Sequence, residues 1–319
     1  MAAWGPPSPA QSRTCGSSPV PQVPRDESEL WACPALCGTT TRIVAMSCCP
    51  PDSAPYLAAD YKATGRVVTA PGTAFEHYVV GDGTQGGILV VPDVYGWNGG
   101  RVRNIADWLA SRGFVCVVTK LLVPTLGSGT DGDGFPGDFD TSTFMTVAVP
   151  YLKTISWDGI LKPRLQAAIS ILKMHNAKKI AAVGFCWSDV CPTMGGWVIA
   201  KAMADADLKS VISCSAIAHP SIARAGQFVG EGAQPVVSKI TVPVLLMPAG
   251  NDPDEYRPGG AIYETLKRNN SASTTTDDFR SMTHGWMPRG DLKNPEVKKH
   301  VDLGLQRIIA FVQQHMQSG

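Results

Sequence analysis

The chain has no excess of charge of either sign: 28 Lys and Arg stand against 27 Asp and Glu over 319 residues, a formal net charge of +1. It therefore has no global field to hold a polyanion, and it also lacks the local Lys/Arg runs that build a basic patch. Nucleic-acid binding is not expected. Long apolar runs are missing too: no uninterrupted stretch approaches the roughly 18–20 residues of a membrane span, so no membrane insertion is expected. A regular cysteine framework is absent. Nine is an odd count, and Cys15, Cys33, Cys37, Cys48 and Cys49 all precede residue 50. Cys33 and Cys37 have the spacing of half a metal site, but no second Cys/His pair follows at finger spacing, so no metal is expected. The odd count also argues against a disulfide-stapled secreted fold, which leaves a reducing, cytoplasmic setting as the default. What is present is 44% apolar composition, enough for a large core in a soluble globular chain of one domain or two.

Residues 1–45 read as a flexible extension. Their Pro-, Ser-, Ala- and Gly-rich texture buries too little surface to offset ordering entropy. A secretory signal would need a basic start and an apolar h-region, and neither is there. An organelle transit peptide should avoid acids, whereas Asp26, Glu27 and Glu29 interrupt this one; targeting by the extension stays as the alternative. Residues 46–319 read as one domain.

Within that domain, short β-branched runs alternate with helical patterns. The texture predicts strands near 75–80, 87–91, 114–119, 179–183, 210–215, 242–247 and 274–279, with helices at 100–112, 158–175, 193–205, 261–269 and 295–316. Runs such as GILVV, FVCVV and VPVLLM are continuously apolar rather than alternating, as in strands buried on both faces. The fold class is α/β: a mostly parallel central sheet flanked by helices on both faces. The Gly- and Asp-rich stretch 126–140 lacks the spacing and closing Glu of a calcium loop and reads as a flexible surface loop.

The chemistry concentrates where Gly184-Phe185-Cys186-Trp187-Ser188 follows a buried strand. This has the form of a nucleophile elbow, with Cys in place of the more usual Ser. A side chain on so sharp a strand-to-helix turn tolerates only small residues two positions away on either side, and Gly184 and Ser188 are small. The helix dipole would favour the thiolate. Cys186 could equally be a buried core thiol. Downstream, Asp252 follows the strand near 242–247 and His284 follows the last one, both in loops at the carboxyl ends of strands, where sites in open sheets assemble. Each has a plain structural explanation as well: a turn former beside Pro253, and a loop cap. Together they give the α/β-hydrolase order of nucleophile, acid and histidine, with Asp254 as the fallback acid. In that arrangement His284 would take the thiol proton, Asp252 would fix the imidazole tautomer, and Cys186 would attack a carbonyl to form a thioester. The backbone N–H groups of Trp187 and Val94 would face the oxyanion.

On these motifs the chain resembles the dienelactone hydrolase (carboxymethylenebutenolidase) family of the α/β-hydrolase superfamily. The likeness covers GILVVPDVYGWNGGRVRNIADWLASRGF, the GFCW elbow, VPVLLMPAGNDP and THGWMPRGD; SCCPPDSAPYL resembles the lead-in of eukaryotic members. It implies an α/β-hydrolase fold and a Cys186, Asp252 and His284 triad that opens small lactones or cleaves small esters without cofactor or metal. It also implies that Asp93, at a position where the family usually has Glu, modulates the nucleophile, and that Arg289 binds an anionic substrate. Against an exposed loop arginine, that last role is evenly balanced.

One departure stands out. Similar sequences run GFCWGGW, whereas here SDVCPTM (188–194) separates GFCW from Gly195-Gly196-Trp197. Seven residues are about two helical turns, so the downstream face could keep its direction. Otherwise the segment bulges, or is an artefact of the gene model. The expected function is hydrolysis of a small ester or lactone, by a monomer or small homo-oligomer. The alternative is a catalytically weakened member that serves as a ligand-binding or scaffold protein.

Overall fold

A computed structural model of the chain describes residues 61–186, 195–222, 230–270 and 273–317. The expected extension and the inserted segment lie outside these residues, as does Trp187. The strands are β1 (Arg66–Thr69), β2 (Glu76–Val80), β3 (Gly86–Val91), β4 (Phe114–Thr119), β5 (Ile180–Phe185), β6 (Ile212–Ala218), β7 (Val244–Met247) and β8 (Thr275–Thr276). The described helices are α1 (Val102–Ala110), α2 (Val149–Thr154), α3 (Lys162–Met174), α4 (Gly195–Ala204), α5 (Ala233–Val237), α6 (Ala261–Asn269), α7 (Trp286–Arg289) and α8 (Pro295–Gln317). Among the described residues no helix is long and apolar enough to cross a membrane.

The eight strands form one sheet in the order β1-β2-β4-β3-β5-β6-β7-β8. β1 and β2 pair antiparallel, as do β2 and β4; every later pairing is parallel. The continuous apolar runs have the expected cause. In β3, Leu89 lies opposite Val117 and Ala182, and all three join the core on one face with residues of α3, α4, α5 and α6. Its neighbour Ile88 lies opposite Cys116 and Ala181 and joins the core on the other face, with α1, α7 and α8. Strand side chains alternate between faces, so a strand covered on both sides must be apolar at every position. Helices on both faces of a mainly parallel sheet leave its carboxyl edge open for loops.

Three sequence expectations need correction. β1 was not expected, because its four residues are largely exposed and lack the apolar signature; its pairing with β2 and the bond from Gly65 N–H to Tyr78 Oη (2.7 Å) hold it. β6 runs to Ala218, three residues beyond its expected end, since Ala216, Ile217 and Ala218 are small or apolar and fully buried. β8 is regular over only two residues, although the chain stays against β7 through Asp277 N–H to the Leu246 carbonyl and Phe279 N–H to the Pro248 carbonyl, both 2.9 Å; the Asp277 and Asp278 side chains pair with Arg307 and with Arg257 and Arg280.

The 126–140 stretch is not simply a surface loop. Asp133 is fully buried and accepts the Trp97 N–H (2.8 Å) on one oxygen and the Leu122 N–H (2.6 Å) on the other, tying the loop after β3 to the loop after β4. Gly134 makes this possible: at φ +65 it packs so tightly that a Cβ would lie 2.3 Å from the Val94 carbonyl oxygen.

Candidate active site

Cys186 is the first residue beyond β5, buried, with φ at +96. A non-glycine residue in that region stores backbone strain of about 1–3 kcal/mol, which persists only where its surroundings enforce it. Here the enforcing contacts are visible. The Cys186 N–H donates to the Ala218 carbonyl at 3.2 Å, and Ser221 Oγ donates to the Cys186 carbonyl. Gly184 lets α4 press on β5, for a Cβ there would meet Ile199 Cδ1 at 2.4 Å. At Gly195, the first residue of α4, a Cβ would meet the Phe185 carbonyl oxygen at 2.2 Å and that of Pro92 at 2.7 Å. The close approach that an elbow asks of a small residue soon after the nucleophile is made here by Gly195. Ser188, assigned that role from the sequence, lies outside the described residues.

Asp252 and His284 meet at the carboxyl edge of the sheet. His284 Nδ1 is 2.5 Å from Asp252 Oδ1, and both side chains are buried. The other carboxylate oxygen accepts the Ala249 N–H at 2.6 Å. The two loops are knitted together by Gly250 N–H to the Met282 carbonyl (2.8 Å) and His284 N–H to Asn251 Oδ1 (2.7 Å). Arg257 braces the acid loop from below, donating to the carbonyls of Asp252 (2.7 Å) and Ala249 and pairing with Asp278. Asp254, the fallback acid, is exposed and pairs with Arg257 instead. Burial pushes the His284 imidazole well below its ordinary range, and the Arg289 charge adds to this. Burial pushes the Asp252 carboxyl up, opposed by the Ala249 N–H and Arg257.

Arg289, which the sequence left evenly balanced with an exposed loop arginine, is buried. Its Nε lies 2.7 Å from Asp93 Oδ2, an ion pair held by proximity rather than by an aligned N–H. The guanidinium stacks over the Tyr95 ring at 4.6 Å, and one of its nitrogens is 4.0 Å from Cys186 Sγ. Asp93 is oriented in turn by the Tyr95 N–H at 2.9 Å. Val94 follows it in the loop three residues beyond β3, with its side chain in the core and its carbonyl held by the Phe135 N–H at 2.9 Å. The structure thus gathers Asp252 with His284, and Asp93 and Arg289 near Cys186.

The site also contains a residue that sequence reasoning missed. His219, the first residue past β6, is fully buried, with φ at +42. Its ring meets that of His284 edge-on at 4.6 Å between centroids. Cys186, His219 and His284 each offer one ligand-type atom, and these three atoms lie within 4.8 Å of one another. The other two described cysteines, Cys116 and Cys214, are core residues whose thiols burial pushes up, that of Cys214 to about 12.

The sequence model of the dienelactone hydrolase family matches residues 75–316, a span that contains every one of these residues. The chain belongs to the dienelactone hydrolase family. Among curated proteins it is similar to an uncharacterized AIM2 family protein of Schizosaccharomyces pombe, 26% identical over 85% of this chain and 99% of that one. It is also similar to the human carboxymethylenebutenolidase homolog, 24% identical over 72% of this chain and 82% of that one. Among solved structures, a dienelactone hydrolase-like promiscuous phosphotriesterase from metagenomic libraries aligns with a TM-score of 0.51 at 17% identity, covering 79% of this chain and 98% of that one. The acylaminoacyl peptidase of Pyrococcus horikoshii aligns with a TM-score of 0.51 at 13% identity, covering 79% and 41%. The fold is the α/β-hydrolase fold of this dienelactone hydrolase family member, as its sequence led us to expect.

His219 could have been found by the rule that found Asp252 and His284, since it too leaves the carboxyl end of a strand. The sequence-based end of that strand at residue 215 placed it four residues away from the sheet edge. In the structure β6 ends at Ala218, and His219 comes next.

Proposed function

We propose that this dienelactone hydrolase family member cleaves a small ester or lactone through a cysteinyl thioester, with Cys186, His284 and Asp252 as nucleophile, base and orienting acid. The observation that carries this reading is the 2.5 Å contact between His284 Nδ1 and Asp252 Oδ1, beside a cysteine on a strained turn. With one proton held between those two atoms, Nε2 of the neutral ring keeps its lone pair for the thiol proton. Sγ then attacks the carbonyl carbon, and the negative charge on the carbonyl oxygen is met by the backbone N–H groups of Val94 and Trp187. Collapse breaks the ester C–O bond, and His284 returns its proton to the leaving oxygen. A water activated by the same ring hydrolyses the thioester.

The second ion pair supports a preference for anionic substrates. The Arg289 guanidinium stabilises negative charge that develops on sulfur 4.0 Å away, and a substrate carboxylate would compete with Asp93 for it. Asp93 thereby modulates the nucleophile through Arg289.

Turnover of an activated ester and of a butenolide tests the reading. Cys186→Ala is expected to abolish both in a protein that keeps its circular dichroism spectrum. Equal rates for the variant and the wild type would refute it.

A further inference from the structure

His219 has no evident task in the proposed hydrolysis, yet it is costly to keep. Both ring nitrogens are buried without a hydrogen-bond partner among the described residues. Leaving a buried polar group unsatisfied is destabilising, and its left-handed backbone adds strain. The residue is firmly placed, with its N–H donating to the Met247 carbonyl at 2.8 Å. The ring is held beside Cys186 and His284.

From this we infer that Cys186, His219 and His284 form a binding site for a single soft divalent cation of the zinc type, and that occupation of the site silences the nucleophile. One thiolate and two imidazoles are a zinc-type donor set that leaves a fourth position for water. Ligand atoms within 4.8 Å of one another need to close by only about 1 Å to reach tetrahedral zinc spacing. His284 already has the support common to metal-bound histidines, a carboxylate on its other nitrogen, here Asp252 at 2.5 Å.

Charge permits the ion. A divalent cation on one thiolate leaves +1, Asp252 offsets it, and Arg289 is already paired with Asp93. On binding, the Cys186 thiol loses its proton to solvent as the S–metal bond forms, which removes both the nucleophile and the lone pair of its base. Silencing of the nucleophile rests on the hydrolase reading, whereas cation binding does not and is measured without turnover.

Co²⁺ serves as the probe, titrated into the full-length chain under reducing conditions and followed by its thiolate-to-metal charge-transfer band. Zn²⁺ competition gives the affinity. One ion per chain is expected. His219→Asn keeps a residue that tolerates the left-handed backbone but offers no soft donor; it should weaken binding by at least about a hundredfold, more than the 10–100-fold that an outer-shell change costs. Asp252→Asn, the second variant, should show that smaller outer-shell loss. Replacing Cys15, Cys33, Cys37, Cys48 and Cys49 by Ser should leave the band intact. Zn²⁺ should also slow alkylation of Cys186 in the wild type but not in His219→Asn. A band that survives His219→Asn, a band that vanishes with the five Ser replacements, or no band at all would overturn the site. Failure of ester turnover with a normal Co²⁺ titration would refute only the hydrolase reading.

Discussion

Asp252 and Asp133 are both carboxylates buried in loops at the carboxyl end of one sheet, and they are used in opposite ways. Burial pushes both up, Asp252 well above its ordinary range and Asp133 to about 6. Asp133 gives its two oxygens to backbone N–H groups of two different loops, at 2.8 and 2.6 Å. Asp252 gives one oxygen to the Ala249 N–H and turns the other to a histidine that can change its protonation state. Burial and a raised carboxyl therefore do not mark chemistry on their own; the partner of the second oxygen does. Asp93 stands between the two, with one oxygen on the Tyr95 N–H and the other on the Arg289 charge.

Substitutions break the comparison at different places. Asp252→Asn should have the largest effect on turnover, lowering kcat by about 10⁴-fold through loss of tautomer control, while the folded state persists; ester kinetics beside a thermal melt check this. Asp93→Asn leaves the Arg289 charge buried without its counter-charge, so a loss of about 3–5 kcal/mol of stability is expected in denaturant titration, together with reduced turnover. Asp133→Asn sets an NH₂ against one of two backbone N–H groups. It should cost about 1–3 kcal/mol while the folded enzyme keeps a kcat close to wild type. If Asp133→Asn instead abolished turnover without loss of stability, the distinction between the two aspartates would collapse.

The last effect is a slope with pH. The Asp133 carboxyl titrates near 6 in the folded chain and near 3.9 when unfolded, so between these values the folded state holds a proton that the unfolded state has lost. Stability from this group therefore falls as pH rises from about 4 to about 6, by at most about 1.4 kcal/mol per pH unit. Buried His77, lowered to about 3, works the other way below about 6.5. The quantity to read is therefore the difference between wild type and Asp133→Asn in urea midpoint across this range. Equal slopes would show that Asp133 does not titrate there.

The same contrast explains what was legible in the sequence. Cys186 and Asp252 could be located because each follows a strand buried on both faces, and such strands are conspicuous; His284, after the short polar strand Thr275–Thr276, was reached only through chain order. Asp133 could not, because the Gly and Asp residues around it have the composition of a solvated loop, and only the positive-φ packing of Gly134 against Val94 turns that loop inward. β1 escaped notice because pairing with β2, not burial, holds it. His219 was hidden by three small or apolar residues that extend β6. Composition reports burial well, but it does not report which buried polar groups face one another.

The central claim is that the sulfur of Cys186 becomes acylated under the control of His284. It is tested most directly by quenching the enzyme in acid during turnover of an activated ester and mapping the adduct by peptide mass spectrometry. The acyl mass is expected on the peptide containing Cys186, to disappear in Cys186→Ala, and to persist longer after quench-flow in His284→Gln, where no base activates water. Turnover with no adduct on Cys186, or an adduct only on another residue, would contradict the account.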